Sequence, residues 1–390
     1  MTSPVNTEVK WARWTMPGAP VLTRAAGSLI ALLDALLVDG WGLQTATSVV
    51  VSGGFATATF ATDHAAAPHA VVLVAGVTGT LAGLNGEQKI TSVSANKIKW
   101  ATTLADGTAA GTITVKMAAA GWAKPFSGTN LAVYKSASPA AHGQFLRVND
   151  TTAGYARAVG YENMTAISTG TGLFPSSAQV SGGYYWGKTS MTSGSDPVPW
   201  AFASDGRMLY IFTLTESSPG YTEYGAALLM PFGDMVPESG AGDPFATLMG
   251  GGLDTDVVSH GAEYLLNGST GATVAVPRAR TGVGSSMRGL VLALTSETSG
   301  APTFPNPSTG AISAAPVYWQ DDNYQFRRAR LPGLLRSAGV YAELLGIQKF
   351  GIVGGAGPQR AYMYAPIGAN GNTVTGVRAA LLDLTGPWRP

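Results

Sequence analysis

The sequence predicts a mainly β protein with an antiparallel β-rich main domain, one N-terminal amphipathic helix and an inserted small β-sandwich or β-barrel module. Three observations support this class. Short segments of alternating apolar and polar residues recur along most of the chain, Gly and Pro punctuate them, and leucines at helical spacing occur in a single stretch. Short strands joined by turns are typical of antiparallel sandwiches and barrels.

The predicted helix covers residues 23–40, TRAAGSLIALLDALLVDG. Thr23 is expected to cap its first N–H groups, and Gly40 is expected to end it in a left-handed conformation. An apolar stripe this wide must be buried against a sheet or a neighbouring subunit. The stripe consists of Leu29, Ile30, Leu32, Leu33, Leu36 and Leu37.

The residues before the helix predict an extended arm, since two prolines follow its two tryptophans and no apolar periodicity is present. Tryptophan is usually buried or docked, so we expect this arm to lie on a neighbouring surface. The arm and the helix together supply the predicted interface residues Trp11, Trp14, Leu29, Leu33 and Leu36.

After the helix, the sequence pattern changes to short predicted strands separated by roughly ten residues, as in small antiparallel modules. Two of these strands flank Gly53-Gly54, which predicts a two-residue hairpin. We therefore assign residues 1–45 to the arm and helix as part of the main domain, 46–117 to an inserted immunoglobulin-like module, and 118–390 to the β-rich main domain.

The main domain contains further strand patterns, and Asp205-Gly206 predicts a hairpin between two of them. Short helical turns are expected near residues 176–180, 244–248 and 331–336. No repeat of 20 to 50 residues is visible, which argues against a propeller or solenoid.

Composition restricts the function classes. Charged residues are 12% of the chain, about half the roughly 25% of ordinary globular proteins, and the formal net charge is +1. Such a balance gives no reason to expect nucleic-acid binding. The absence of Cys excludes disulfides and thiolate metal sites. The most apolar run, residues 29–38, is about half a membrane span and contains Asp34, so no membrane insertion is expected.

Residues 182–189, GGYYWGKT, match the phosphate-loop pattern G-x4-G-K-[ST]. A phosphate loop needs a bare backbone that opens directly into a helix, whereas this loop is aromatic and a Pro-containing segment follows it. We expect an aromatic turn with Lys188 exposed and no nucleotide cofactor. Asp254 and Asp256 resemble part of a calcium loop but lack the Gly and the distal Glu of an EF-hand, and the histidines show no metal-ligand spacing, so no metal is predicted.

Aromatic residues near Gly-rich loops offer two interpretations. Stacked on a sugar they would form a glycan contact, for which Tyr184, Trp186 and Trp319 are the candidates; buried, they would be core. A basic cluster within residues 327–336 is too short for nucleic acid, so we expect it to form local salt bridges or part of an interface. Glycoside hydrolysis needs two carboxylates across a cleft, and no pair stands out among Glu216, Glu223, Asp321 and Asp322.

Three segments together resemble a known family: VLTRAAGSLIALLDALLVDGWG, the module from GFATATFATDHAAA to GTITVKMAAAGWAKPFSGTNLAVYKS, and the terminal LLDLTGPWRP. They are similar to virion structural proteins of tailed bacteriophages, found among tail or baseplate components, and the small module is similar to immunoglobulin-like insertions in phage particles. The resemblance carries no catalytic residues.

This resemblance implies a non-enzymatic structural subunit that contacts other virion proteins and copies of itself, in a virion assembled in the host bacterial cytoplasm. Two other functions stay open. One is a carbohydrate-binding receptor protein that recognises a host surface glycan through the aromatic loops. The other is a polysaccharide-degrading tailspike.

Overall fold

The computed structural model confirms the predicted class, because its described residues form three antiparallel sheets and one short α-helix. No described helix has the length and apolar character that a membrane span needs. The structure describes residues 3–188, 196–214, 227–239, 242–253, 266, 274–293, 313–321, 327–337, 350–354, 360–367 and 378–390.

The N-terminal segment contains strand β1 (Lys10–Arg13), helix α1 (Ser28–Leu33) and a π-helical segment (Asp34–Asp39) that continues α1. The helical region is thus shorter than predicted. Thr23 lies five residues before α1, so its prediction as the helix cap is wrong. Gly40 does end the helix, as predicted, but its φ of +72° and ψ of 175° are not the left-handed helical conformation expected.

The leucine stripe packs inside its own chain. All five leucines are at most 2% exposed and belong to the main hydrophobic core. Asp34, on the opposite side, accepts bonds from Tyr134 Oη at 2.9 Å and Lys124 Nζ at 2.7 Å, which fixes the helix to a neighbouring sheet. The interface predicted at the stripe is therefore corrected: the side chains of Leu29, Leu33 and Leu36 face the interior and reach no partner surface.

Six of the next seven strands form a closed barrel. Pairing runs β2–β3–β6–β5–β4–β8 and returns to β2, while β7 pairs with β2 outside the ring. An immunoglobulin domain has two separate sheets, so this module is the barrel of the two predicted alternatives. Its strands are β2 (Trp41–Ser52), β3 (Phe55–Phe60), β4 (Val71–Ala75), β5 (Gly86–Ser94), β6 (Lys97–Ala101), β7 (Gly107–Thr108) and β8 (Thr114–Met117); a 3-10 helix (Gly79–Leu84) precedes β5.

The ring closes because two strands change partners along their length. The first residues of β2 pair with β8 and the rest with β3, with a register shift between Ala46 and Ser48. β5 passes from β4 to β6 in the same way. Such irregularities bend a strand and allow a sheet to turn a corner. Gly53 and Gly54 have φ values of +59° and +80°, which confirms the predicted hairpin between β2 and β3.

The second sheet has six strands in the order β13-β12-β11-β10-β9, with β14 paired to β12. One of its faces packs on the main core, because residues such as Ala132, Leu146 and Ala158 are fully buried there. Its strands are β9 (Trp122–Gly128), β10 (Leu131–Ser136), β11 (Phe145–Asn149), β12 (Tyr155–Ala166), β13 (Thr169–Phe174) and β14 (Tyr184–Gly187).

The third sheet joins β1 to twelve strands from the C-terminal half, in the order β1-β15-β16-β17-β19-β20-β21-β22-β23-β26-β25-β24, with β18 on β23. Residues 331–336, predicted as a helical turn, lie inside β23. The strands are β15 (Trp200–Ser204), β16 (Met208–Leu214), β17 (Ala227–Asp234), β18 (Val236–Pro237), β19 (Thr247–Met249), β20 (Val274–Val276), β21 (Met287–Ala293), β22 (Ala314–Asp321), β23 (Arg327–Ser337), β24 (Ile352–Gly354), β25 (Ala361–Ile367) and β26 (Arg378–Asp383).

This large sheet rolls up until its two ends meet. Arg13, at the end of β1, donates to the carbonyl oxygen of Phe350 at 2.9 Å, two residues before β24. Phe350 also packs against Phe212 of β16 with ring centroids 6.4 Å apart. The N-terminal arm and the C-terminal strands are therefore part of one body.

The barrel docks on this body through a buried cation. Lys89 of β5 is 3% exposed, and its ammonium donates to the carbonyl oxygens of Leu384 and Thr385 at 2.7 and 2.9 Å. Burial lowers the pKa of Lys89 to about 8, since the charged ammonium is removed from water. Within the described structure, no carboxylate contacts the ammonium directly to offset this shift.

We predict that a fragment of residues 41–117 folds alone, since it contains the whole ring of pairings. A fragment of residues 46–117 loses the part of β2 that pairs with β8, so it should be less stable or unfolded. Urea unfolding followed by tryptophan fluorescence checks both fragments. Equal cooperativity in the two fragments would show that ring closure is not needed for stability.

We also predict that stability rises with pH above about 8. Between about pH 8 and the unfolded-state pKa of about 10.4, the unfolded chain holds a proton at Lys89 that the folded chain has lost. Unfolding free energy should therefore increase by about 2 kcal/mol between pH 8 and 9.5 relative to Lys89→Met. Urea titrations of both proteins measure this difference. Lys97→Met, at an exposed position of β6, is the control and should keep the wild-type slope.

Candidate functional site

The GGYYWGKT segment forms a strand and a buried anchor, and not a phosphate loop. Residues 184–187 form β14, which pairs with β12, and no helix follows within the described residues. The prediction that Lys188 is exposed is wrong. Its side chain is fully buried, and Nζ lies 2.6 Å from Asp150 Oδ1. Nζ also donates to the carbonyl oxygens of Ala25 and Thr152, so its three protons are all used.

The other oxygen of Asp150 caps the helix. Oδ2 accepts the backbone N–H groups of Leu29 at 2.8 Å and Ile30 at 3.4 Å, and the Asp150 carbonyl accepts the N–H of Gly27. An anion at a helix N-terminus satisfies orphan N–H groups and interacts favourably with the helix dipole. Burial raises the pKa of Asp150, and the adjacent ammonium opposes that shift. The Asp150–Lys188 pair therefore holds together the start of the helix, the residue after β11 and the residue after β14.

The residues predicted to contact a glycan are core residues. Tyr184 and Trp186 are fully buried and Trp319 is 1% exposed, so none offers a ring face to a sugar. The core interpretation of these aromatics holds. Alternation along β14 explains the outcome for its residues, because Tyr184 and Trp186 share the inward face while Tyr185 points outward. There Tyr185 stacks on Arg157, whose guanidinium carbon lies 3.6 Å from the ring centroid.

The arm divides its two tryptophans between core and surface. Trp11, on β1, is 2% exposed, so its predicted interface role is corrected to a core role. Trp14 is 40% exposed, and its backbone N–H donates to the Trp200 carbonyl at 3.0 Å, which holds it in place. Val5 and Val21 of the same arm are also exposed. The arm therefore carries three exposed apolar side chains.

A cleft of about 320 Å³ lies beside the C-terminal residues, above strands β23, β25 and β26. Gly333 makes room for one wall, since a Cβ there would lie 2.1 Å from the Trp388 ring. The Trp388 indole donates to the Asp383 carbonyl at 2.8 Å. The cleft is lined by Arg330, Gly333, Leu335, Arg360, Tyr362, Asp383, Pro387, Trp388, Arg389 and Pro390.

The side chains of this cleft carry more positive than negative charge. Arg389 is occupied by Asp205 at 2.6 Å and by backbone carbonyls. Arg360 contacts Asp383 at 2.5 Å and is half exposed. Arg330 makes no hydrogen bond or ion pair with any residue in the described ranges. One guanidinium is therefore available to an anion from outside.

The residues considered for calcium binding and for glycoside hydrolysis form no described site. Asp254, Asp256, Glu216, Glu223 and Asp322 lie outside the described residues. Asp321 is 9% exposed at the end of β22. Among the described residues, no three His, Asp or Glu side chains converge on a point where a metal ion could bind.

Sequence reasoning missed the cleft because its cations come from separate segments. Arg330 belonged to the predicted basic cluster, but Arg360 and Arg389 are isolated in the sequence. Within that cluster, Arg328 is bidentate to Asp243 at 2.6 and 3.0 Å, and Arg327 lies over the Tyr318 ring. The DLTGPWRP ending was the one available signal, because it combines turn residues with Trp and Arg.

Comparison with protein-family models found no match, and a search of curated proteins also found none.

We predict that Asp150→Asn destabilises the protein by about 3–5 kcal/mol, because it leaves the Lys188 ammonium buried without an anion. Adding Lys188→Met should recover part of this loss, since the second change removes the uncompensated charge. Urea unfolding measures both variants. Lys124→Met breaks the less buried pair with Asp34 and should cost about 1 kcal/mol or less. A double variant as unstable as the sum of the two single variants would contradict the proposed pairing.

Proposed function

We propose that this protein is a structural subunit of a bacteriophage particle, in the tail tip or baseplate, which assembles through contacts with copies of itself and with other virion proteins. The observation that carries the proposal is the arm. A rigidly placed Trp14 and the exposed Val5 and Val21 lie within the first 21 residues. Aromatic anchors held on a fixed backbone are typical of protein–protein interfaces.

Surface chemistry also supports an assembly role. The chain has few charges for its size, and some of the most strongly paired ones are buried. Interface cores are depleted of charged residues, so a weakly charged exterior suits a subunit that is covered by neighbours. The sequence resemblance to tail and baseplate components points the same way.

The two alternatives receive less support. The aromatic residues that favoured a receptor-binding protein are buried, and the sequence singles out no pair of carboxylates for a tailspike. The assembly role is therefore the function on which we conclude.

We predict that the protein self-associates and that Trp14→Ser weakens this association by about tenfold, as expected for an interface hot spot. Sedimentation velocity across a concentration series measures the change. Leu43→Ser, at a 66% exposed barrel position, is the matched control and should leave association unchanged. A wild-type chain that stays monomeric at high micromolar concentration, or equal effects of both substitutions, would contradict the proposed interface. Electron microscopy of particles with labelled subunits tests the location in the virion.

A further inference from the structure

We propose that the C-terminal cleft binds a carboxylate carried on a single hydroxylated ring, which is the chemistry of a uronic acid. This inference goes beyond the assembly function and does not depend on it, because no arm residue lines the cleft.

The cleft is built before any ligand arrives. Trp388 fills the space left by Gly333 and packs against Tyr210 with ring centroids 5.7 Å apart. Arg389 is tied to Asp205 at one side of the large sheet. The terminal segment is thus held in place by packing and by hydrogen bonds. Preformed sites avoid the entropy loss of ordering their walls on binding.

The charge pattern selects an anion. Arg330 has no partner among the described residues, and Arg360 keeps N–H groups beyond the one that contacts Asp383. The guanidinium is planar and presents parallel N–H groups that fit a carboxylate bidentately. Because Asp383 already accepts from Arg360, Thr385 and Gly386, it stays bound to the protein and leaves Arg330 for the ligand.

The remaining lining favours a small ring over a polymer backbone or a bare ion. Its volume, about 320 Å³, falls at the lower end of small-molecule sites. Leu335 and Pro387 offer apolar contact for ring C–H groups. Tyr362 also lines the cleft, and its hydroxyl can exchange hydrogen bonds with a ligand hydroxyl. Together these features fit one acidic sugar unit.

The full-length chain tests this proposal by saturation-transfer NMR titration with glucuronate. Glucose serves as the neutral probe and inorganic phosphate as the competing anion class. We expect glucuronate to bind and glucose not to bind. Arg330→Gln should weaken glucuronate binding by about tenfold or more, the usual effect of losing a charged hydrogen bond. Arg360→Gln, at a half-exposed position, should weaken it as well.

Arg327→Gln is the matched control. Arg327 lies on the same strand, exposed over Tyr318 and outside the cleft, and its loss should leave binding unchanged. Thermal unfolding midpoints confirm that each variant is folded. The proposal is overturned if glucuronate does not bind to the wild-type chain, if phosphate binds while glucuronate does not, or if the folded Arg330 and Arg360 variants both bind as well as the control.

Discussion

The fold depends on one buried carboxylate, that of Asp150. One of its oxygens holds the start of the helix and the other holds Lys188 at the end of β14. Without it, two N–H groups of the helix would lose their side-chain acceptor and a buried ammonium would lose its anionic partner, and each loss is costly in a low-dielectric interior. The leucine stripe can pack in the main hydrophobic core because this end of the helix is fixed. The Asp150 carboxylate thus fixes the position of the helix, because apolar packing alone does not specify its orientation.

How much the sequence could predict follows from the range of each interaction. The leucine stripe, the Gly53-Gly54 turn and the alternation of the strands are local patterns, and the structure confirms them. The partner of Lys188 lies 38 residues away and the cap of Leu29 lies 121 residues away. Lys188 is expected to be exposed because it is charged. Thr23 is expected to cap the helix because it is a small polar residue before the leucine stripe. Only tertiary contacts could have corrected either expectation.

The candidate site shows the same limit more strongly. Alternation alone would have placed Tyr184 and Trp186 on one face and Tyr185 on the other, but it could not tell which face is buried. The cleft needs β26 to lie between β23 and β25 in the sheet, with Gly333 under Trp388. No pattern within a window of the sequence contains that juxtaposition. The arginine-lined cleft and the closure of the barrel both depend on the order in which the strands pair. That order cannot be predicted from a single sequence.

The distribution of charge connects these features. This chain has only 24 basic and 23 acidic residues, yet in its described part it forms the largely buried ion pairs Asp150 with Lys188, Asp243 with Arg328, and Asp205 with Arg389. Buried pairs contribute little net stability compared with apolar packing, because desolvation offsets their attraction. Each pair here joins segments more than 35 residues apart, so we infer that they select one arrangement among the many that apolar strands allow. The charges of these pairs are withdrawn from the exterior, which is weakly charged as the proposed assembly role requires.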